Sequence, residues 1–381
     1  MSESFQYRPE KAGVWKYLPA LAFGLITVGG LIAGVRSLQQ IPAEKWTEMA
    51  DWRKVAQGES TRVLTSQLNE HFIFSKDFAA TERVVSWNLA RDTGTQVRPG
   101  CPGWFFLTEE LTTFDGGPQN ARARAWMVTE VARQLKQRGI PLVIAMVPDK
   151  ARIEAAQTCG LHRPAAFAAR YDLWMNEVRA AGITVLDLRE PLQQVQGERY
   201  YRTDSHWNEA GASAVSAYIA QQLRQQQLIT TDAAPINAET VKSRQGERMG
   251  DLYKLSSLND VPLWARPATE ITTLSEVAPV AVQSDDLFGD SGLPALSLIG
   301  TSFSLRGNFV PFLSRHVGAP VANLAKDGGA FDGAAQAFFH SKVFEQEPPK
   351  LIVWEIPERM LQRSFDAKER VWYQTLKQGK L

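Results

Sequence analysis

In "YRTDSHWNEAGA", Asp204 and His206 stand two positions apart, beside Trp207 and just ahead of a helix start. An imidazole oriented by a carboxylate can take a proton from a hydroxyl, and that is half of a nucleophilic triad. Helix capping explains the same turn, with Asn208 as the N-cap. The missing half needs a hydroxyl on a sharp turn, and "PALSLIGTSFS" supplies one. Its apolar run reads as a buried strand, Gly300 lets the backbone turn and approach a substrate, and Ser302 follows at the entry to a helix. Free N–H groups at that helix start would face an oxyanion. Ser302 could equally do no more than cap its own helix. A rival, Ser291 in "FGDSGLP", comes before the strand in a Gly/Asp-rich loop that a turn explains. Ser302 is therefore the preferred nucleophile.

These residues need a scaffold, and the patterning indicates α/β. "GWFFLTEEL" reads as a buried strand entering a turn, and "NARARAWMVTEVARQLKQRG" as an amphipathic helix ending at Gly139. "IPLVIAMVP" is a continuous apolar run, as expected for a parallel strand buried on both faces. A helix over 164–181, the strand "ITVLDL" and a helix over 208–227 follow. Residues 228–292, rich in Ser, Thr, Asp and Pro, break the rhythm and read as an insertion that builds a rim over the site. The rhythm resumes with "PALSLIG", a helix over 303–317, "PVANLA", a helix near 332–342 and "KLIVWEIP". This alternation predicts a doubly wound, mostly parallel sheet, with ligands beyond the carboxyl ends of its strands.

A chain of 381 residues, 44% hydrophobic and 22% charged, can bury a proper core. Its net charge of +1 gives no basic surplus for nucleic acid. "LPALAFGLITVGGLIAGV", residues 18–35, is uncharged and close to spanning length. Trp15 and Tyr17 stand at its edge, and Arg8, Lys11 and Lys16 precede it, which favours a cytoplasmic amino terminus. An uncleaved anchor is favoured over a cleaved signal peptide, because no clean small-residue cleavage site closes the run. The expected organisation is a cytoplasmic tail over 1–17, an anchor over 18–35, a membrane-proximal stalk over 36–98 and the main domain over 99–381. The main domain would then lie outside the cytoplasm. There Cys101 and Cys159 could pair or remain free. The five histidines, His71, His162, His206, His316 and His340, form no metal-ligating motif, and there is no Gly-rich phosphate loop. No metal and no cofactor are expected.

The N-terminal apolar run, "GWFFLTEEL", "VPDK", "YRTDSHWNEAGA", "LIGTSFS" and "LIVWEIPER" together resemble the alginate O-acetyltransferase family over roughly residues 100–360. These are periplasmic, SGNH-hydrolase-like proteins that acetylate exopolysaccharides, with relatives that act on bacterial cellulose. The resemblance implies an SGNH-like fold and the order Asp204, His206, Ser302, permuted from common SGNH hydrolases. It also implies an acetyl ester on Ser302, a polysaccharide acceptor, and an acetyl donor supplied by an integral-membrane O-acyltransferase at the inner membrane. The family's serine turn usually carries Asp before the serine, whereas Thr301 stands here. Trp207 and Arg359 are candidates to contact the polymer or, for Arg359, the oxyanion; Trp354 reads as core. A carbohydrate acetylesterase with the same residues and a non-catalytic secretion scaffold are the alternatives.

Overall fold

A computed structural model describes residues 17–71, 75–280 and 295–381. Arg8, Lys11, Trp15, Lys16 and the Ser291 turn lie outside the described residues. The chain divides into two compact units, Met1–Asn88 and Leu89–Leu381. The division falls earlier than the expected boundary at 98–99. Strand β1 (Val97–Pro99) pairs antiparallel with β2 (Phe105–Leu107), so this segment belongs to the second unit.

The first unit is helical. Leu18–Gln40 forms a 23-residue helix, long and apolar enough to cross a membrane by length and composition. Its side chains are almost all exposed. Shorter helices follow at Ala43–Met49, Trp52–Ala56, Glu59–His71 and Ser75–Ala90.

The second unit is built on a parallel sheet. Its strands are β3 (Leu142–Val147), β4 (Thr184–Asp187), β7 (Leu296–Ile299), β8 (Val321–Asn323) and β9 (Leu351–Pro357), in the spatial order β4-β3-β9-β7-β8. All four pairings are parallel. Every residue of β3, β7 and β9 is buried, as helices on both faces require. Alternation along β3 sends Leu142, Ile144 and Met146 into one apolar cluster and Val143, Ala145 and Val147 into the other. Trp354 of β9 packs in the first cluster against Phe331 and Trp372.

The described part of the insertion, residues 228–280, is more ordered than its composition suggests. Strands β5 (Val241–Arg248) and β6 (Glu270–Val277) pair antiparallel over eight residues, and a short helix, Asp251–Leu255, follows β5. Most β5 side chains are exposed, so no apolar alternation marked the strand. The helix expected over 303–317 is two pieces, a 3-10 turn at Ser302–Leu305 and an α-helix at Phe309–Val317. Gly307 and Asn308 both have positive φ and break it. Cys101 and Cys159 form a disulfide with Cα atoms 4.9 Å apart, joining the β1–β2 loop to the segment beyond β3.

Candidate active site

The carboxyl ends of β3, β9 and β7 deliver Asp149 and Lys150, Glu358 and Arg359, and Thr301 and Ser302 to one side of the sheet. A cavity of about 840 Å³ opens there, lined among others by Ser302, His206, Asp251, Arg306 and Arg359.

The Asp204–His206 loop is a closed turn. Tyr200 and Trp207 form an antiparallel bridge across it, and the Tyr201 N–H donates to the His206 carbonyl at 3.1 Å. From beneath, buried Lys150 donates to the carbonyls of Phe105, Arg202 and Asp204 at 2.6, 3.0 and 2.9 Å. Its ammonium also lies 5.2 and 5.0 Å from the ring centres of Trp104 and Phe106. The lysine of "VPDK" is thus the post around which the loop is wound. Asn208 caps the helix Glu209–Gln225 by accepting from the Gly211 N–H at 2.9 Å, so the capping role coexists with whatever Asp204 and His206 do.

At the loop tip, His206 Nδ1 lies 2.6 Å from Asp204 Oδ1, and His206 Nε2 lies 2.7 Å from Ser302 Oγ. The structure therefore brings the three residues into one hydrogen-bonded chain. Asp204 and His206 are buried, while Ser302 is partly open to the cavity. Asp204 Oδ2 accepts from Arg248 Nη2 at 2.6 Å and from the Asp251 N–H at 3.3 Å. Burial alone would push the Asp204 carboxyl up. The hydrogen bond and charge of His206 and the Arg248 guanidinium reverse this, and hold it well below the usual carboxylate range. Asp251 in turn accepts from the Ser205 N–H and hydroxyl, each at 2.7 Å. Asp204, His206 and Asp251 place ligand atoms within 4.8 Å of one another. Arg248 already puts a positive charge on Asp204, against a second cation there.

The serine turn hangs on β9. The Thr301 N–H donates to Glu355 Oε2 at 2.7 Å, and the hydroxyls of Thr301 and Ser304 lie 3.1 and 3.0 Å from the same carboxyl. A Cβ at Gly300 would stand 2.6 Å from both Glu355 Oε2 and Ser304 Oγ, so a larger residue would push the buried acid or the Ser304 hydroxyl out of place. The Thr301 hydroxyl also accepts from the Phe303 N–H at 3.3 Å, capping the 3-10 turn. Threonine thus both caps this turn and donates to a buried acid.

Two expectations about the lining differ in outcome. Trp207 does not line the cavity: it is fully buried, packed against Phe303 and Phe309, so no face is free for a sugar. Arg359 does line it, 6% exposed, with its guanidinium 4.8 Å from the Phe303 ring centre. Its nearest carboxylates are loose, Glu109 3.4 Å from Nε and Glu110 3.7 Å from Nη1, and Nε makes no hydrogen bond. Burial and nearby Asp149 push the Glu110 carboxyl up to about 8, so near neutrality it does little to cancel Arg359. Lys150, Arg248, Asp251 and Glu355 were not singled out from the sequence. Their one signal was the presence of Lys150 and Glu355 inside "VPDK" and "LIVWEIPER".

A five-stranded parallel sheet with a serine, histidine and aspartate joined at its carboxyl edge defines an SGNH-hydrolase-like protein. The family model described as "SGNH hydrolase-like domain, acetyltransferase AlgX" matches residues 97–358, and the chain belongs to that family. It is 30% identical to "Probable alginate O-acetylase AlgJ" of Pseudomonas aeruginosa, over 90% of this chain and 89% of that one. It is 31% identical to "Alginate biosynthesis protein AlgX" of the same organism, over 69% of this chain and 56% of that protein. Among solved structures, the O-acetyltransferase domain of Pseudomonas putida AlgJ aligns with a TM-score of 0.61 at 26% identity, covering 74% of this chain and 99% of that domain.

Proposed function

We propose that this protein is an O-acetyltransferase that passes an acetyl group through Ser302 to hydroxyls of a bacterial exopolysaccharide of alginate or cellulose type. The observation that carries the reading is the unbroken chain Asp204–His206–Ser302, with the serine open to a large cavity. Ser302 Oγ attacks the acetyl carbonyl while His206 Nε2 takes its proton, which leaves with the donor's departing group. A sugar hydroxyl then attacks the acetyl ester. His206 takes that hydroxyl's proton and returns it to Ser302 Oγ as the ester bond breaks. The Ser302 N–H, at the first position of its 3-10 turn, has no acceptor within the turn and is a natural donor to the oxyanion. Arg359, loosely paired on the cavity wall, is the candidate to contact an anionic part of the substrate.

The relatives' names supply the acetylation chemistry and the polysaccharide. The Leu18–Gln40 helix, long and apolar enough to span, supports a membrane anchor. On this reading it is single-pass in the inner membrane, the catalytic domain lies in the periplasm, and the family resemblance assigns the donor role to an integral-membrane O-acyltransferase. Incubation with an activated acetyl ester and oligosaccharides tests the transferase reading: acetylated sugar should form, whereas free acetate alone would make the protein an esterase. Protease added outside spheroplasts should digest the domain; protection would refute the topology.

A further inference from the structure

The insertion hairpin reaches the centre of the site with two opposite charges. Arg248, the last residue of β5, holds Asp204 Oδ2 at 2.6 Å, and its guanidinium stacks 4.1 Å from the centre of the Tyr201 ring. Asp251, three residues on, places Oδ2 3.5 Å from His206 Nδ1 while bound to Ser205. The backbone between them is pressed against the loop: the Gly250 N–H donates to Thr203 Oγ1 at 3.1 Å, and a Cβ at Gly250 would collide with the Thr203 carbonyl.

We infer that Arg248 and Asp251 are positioning residues that bracket the Asp204–His206 pair with opposite charges, and so set the pH range over which His206 serves as a base. The inference rests on the Ser302 acyl-enzyme reading. Asp204 uses Oδ1 on His206 and Oδ2 on Arg248, so the guanidinium fixes which oxygen meets the imidazole and offsets part of the carboxylate's charge. Asp251 adds negative charge on the Nδ1 side. The other groups facing the pair are Lys150 on the Asp204 carbonyl, Glu270 of β6 on the N–H groups of Arg202 and Thr203, Arg359 with Nη1 3.5 Å from the Ser205 carbonyl, and the Ser302 hydroxyl. Neither the Arg248 nor the Asp251 substitution changes any of these residues.

The signs follow from charge alone. Removing Arg248 leaves two uncompensated carboxylates beside the ring, favours imidazolium and moves the acidic limb of activity to higher pH. Removing the Asp251 charge does the reverse. Each shift should be about half to one pH unit, because the groups are partly solvated. The test is the pH–rate profile of full-length protein in detergent with p-nitrophenyl acetate, for wild type, Arg248→Met, Arg248→Lys, Asp251→Asn and Ser302→Ala. Support is an upward shift in Arg248→Met, a downward one in Asp251→Asn and the wild-type limb in Arg248→Lys. Should Arg248→Met misfold by circular dichroism, the Asp251→Asn shift alone decides. Unmoved limbs, or limbs moved in the same direction, with an inactive Ser302→Ala, overturn this inference and leave the acyl-enzyme reading standing. An active Ser302→Ala overturns both.

Discussion

Thr301 and Glu355 lock the serine turn to the central strand of the sheet: the Thr301 amide and hydroxyl both bond one buried carboxyl, at 2.7 and 3.1 Å. Burial pushes that carboxyl up, while the Thr301 and Ser304 donors hold it down. An aspartate at 301 would set a second carboxyl against the first. Thr301→Asp should therefore cut acetyl-ester turnover at least tenfold and lower stability by about 1–3 kcal/mol. Glu355→Gln in the same chain should recover part of both losses, because it removes the like charge. Thermal unfolding and turnover of both single variants and the double variant give the coupling; strict additivity would contradict this account.

Glu110 provides a pH test of the buried wall behind Arg359. Burial and nearby Asp149 push its carboxyl in the folded protein up to about 8, from an ordinary value of 4.5. A group raised in this way contributes stability below the unfolded value and loses it as pH rises through the folded one. Between about pH 4.5 and 8, Glu110 therefore makes stability decline with rising pH. Glu110→Gln should flatten that slope and stabilise the protein at pH 8 by on the order of a few kcal/mol. Denaturant midpoints at pH 5 and pH 8 measure it, and an unchanged slope would refute the assignment.

Lys150 should be intolerant of change. Lys150→Met removes three donors and leaves the carbonyls of Phe105, Arg202 and Asp204 buried without them. The expected loss is about 3–5 kcal/mol, together with turnover, since the Asp204–His206 loop is no longer pinned. Urea unfolding checks the first effect, and wild-type stability in the variant would remove Lys150 from its role.

The legible and illegible parts of the site divide by sequence distance. Asp204 and His206 lie in one turn, and Ser302 follows a strand and a glycine, so both halves are local patterns. Their meeting spans 96 positions and follows from the sheet order, in which β9 lies between β3, whose following Lys150 pins the Asp204–His206 loop, and β7, which leads into Ser302. Arg248 reaches Asp204 across 44 positions from a strand whose faces are mostly solvated, so no apolar period announces it. Trp207 misled because an aromatic beside a histidine suggests a sugar platform, whereas the ring is fully buried against Phe303 and Phe309. The broken helix after Ser302 shows the same limit. Its apolar pattern runs on, but the positive φ values at Gly307 and Asn308 are set by tertiary structure.

The most direct measurement is peptide mass spectrometry of the full-length protein quenched during turnover of an activated acetyl ester. One acetyl group should appear, on the peptide holding Ser302, and vanish in Ser302→Ala. His206→Ala should acquire it far more slowly, for want of a base. Ser291→Ala should label and turn over like wild type. An acetyl group on Ser291, or a Ser302→Ala variant with wild-type turnover, would contradict the assignment of Ser302 as the nucleophile.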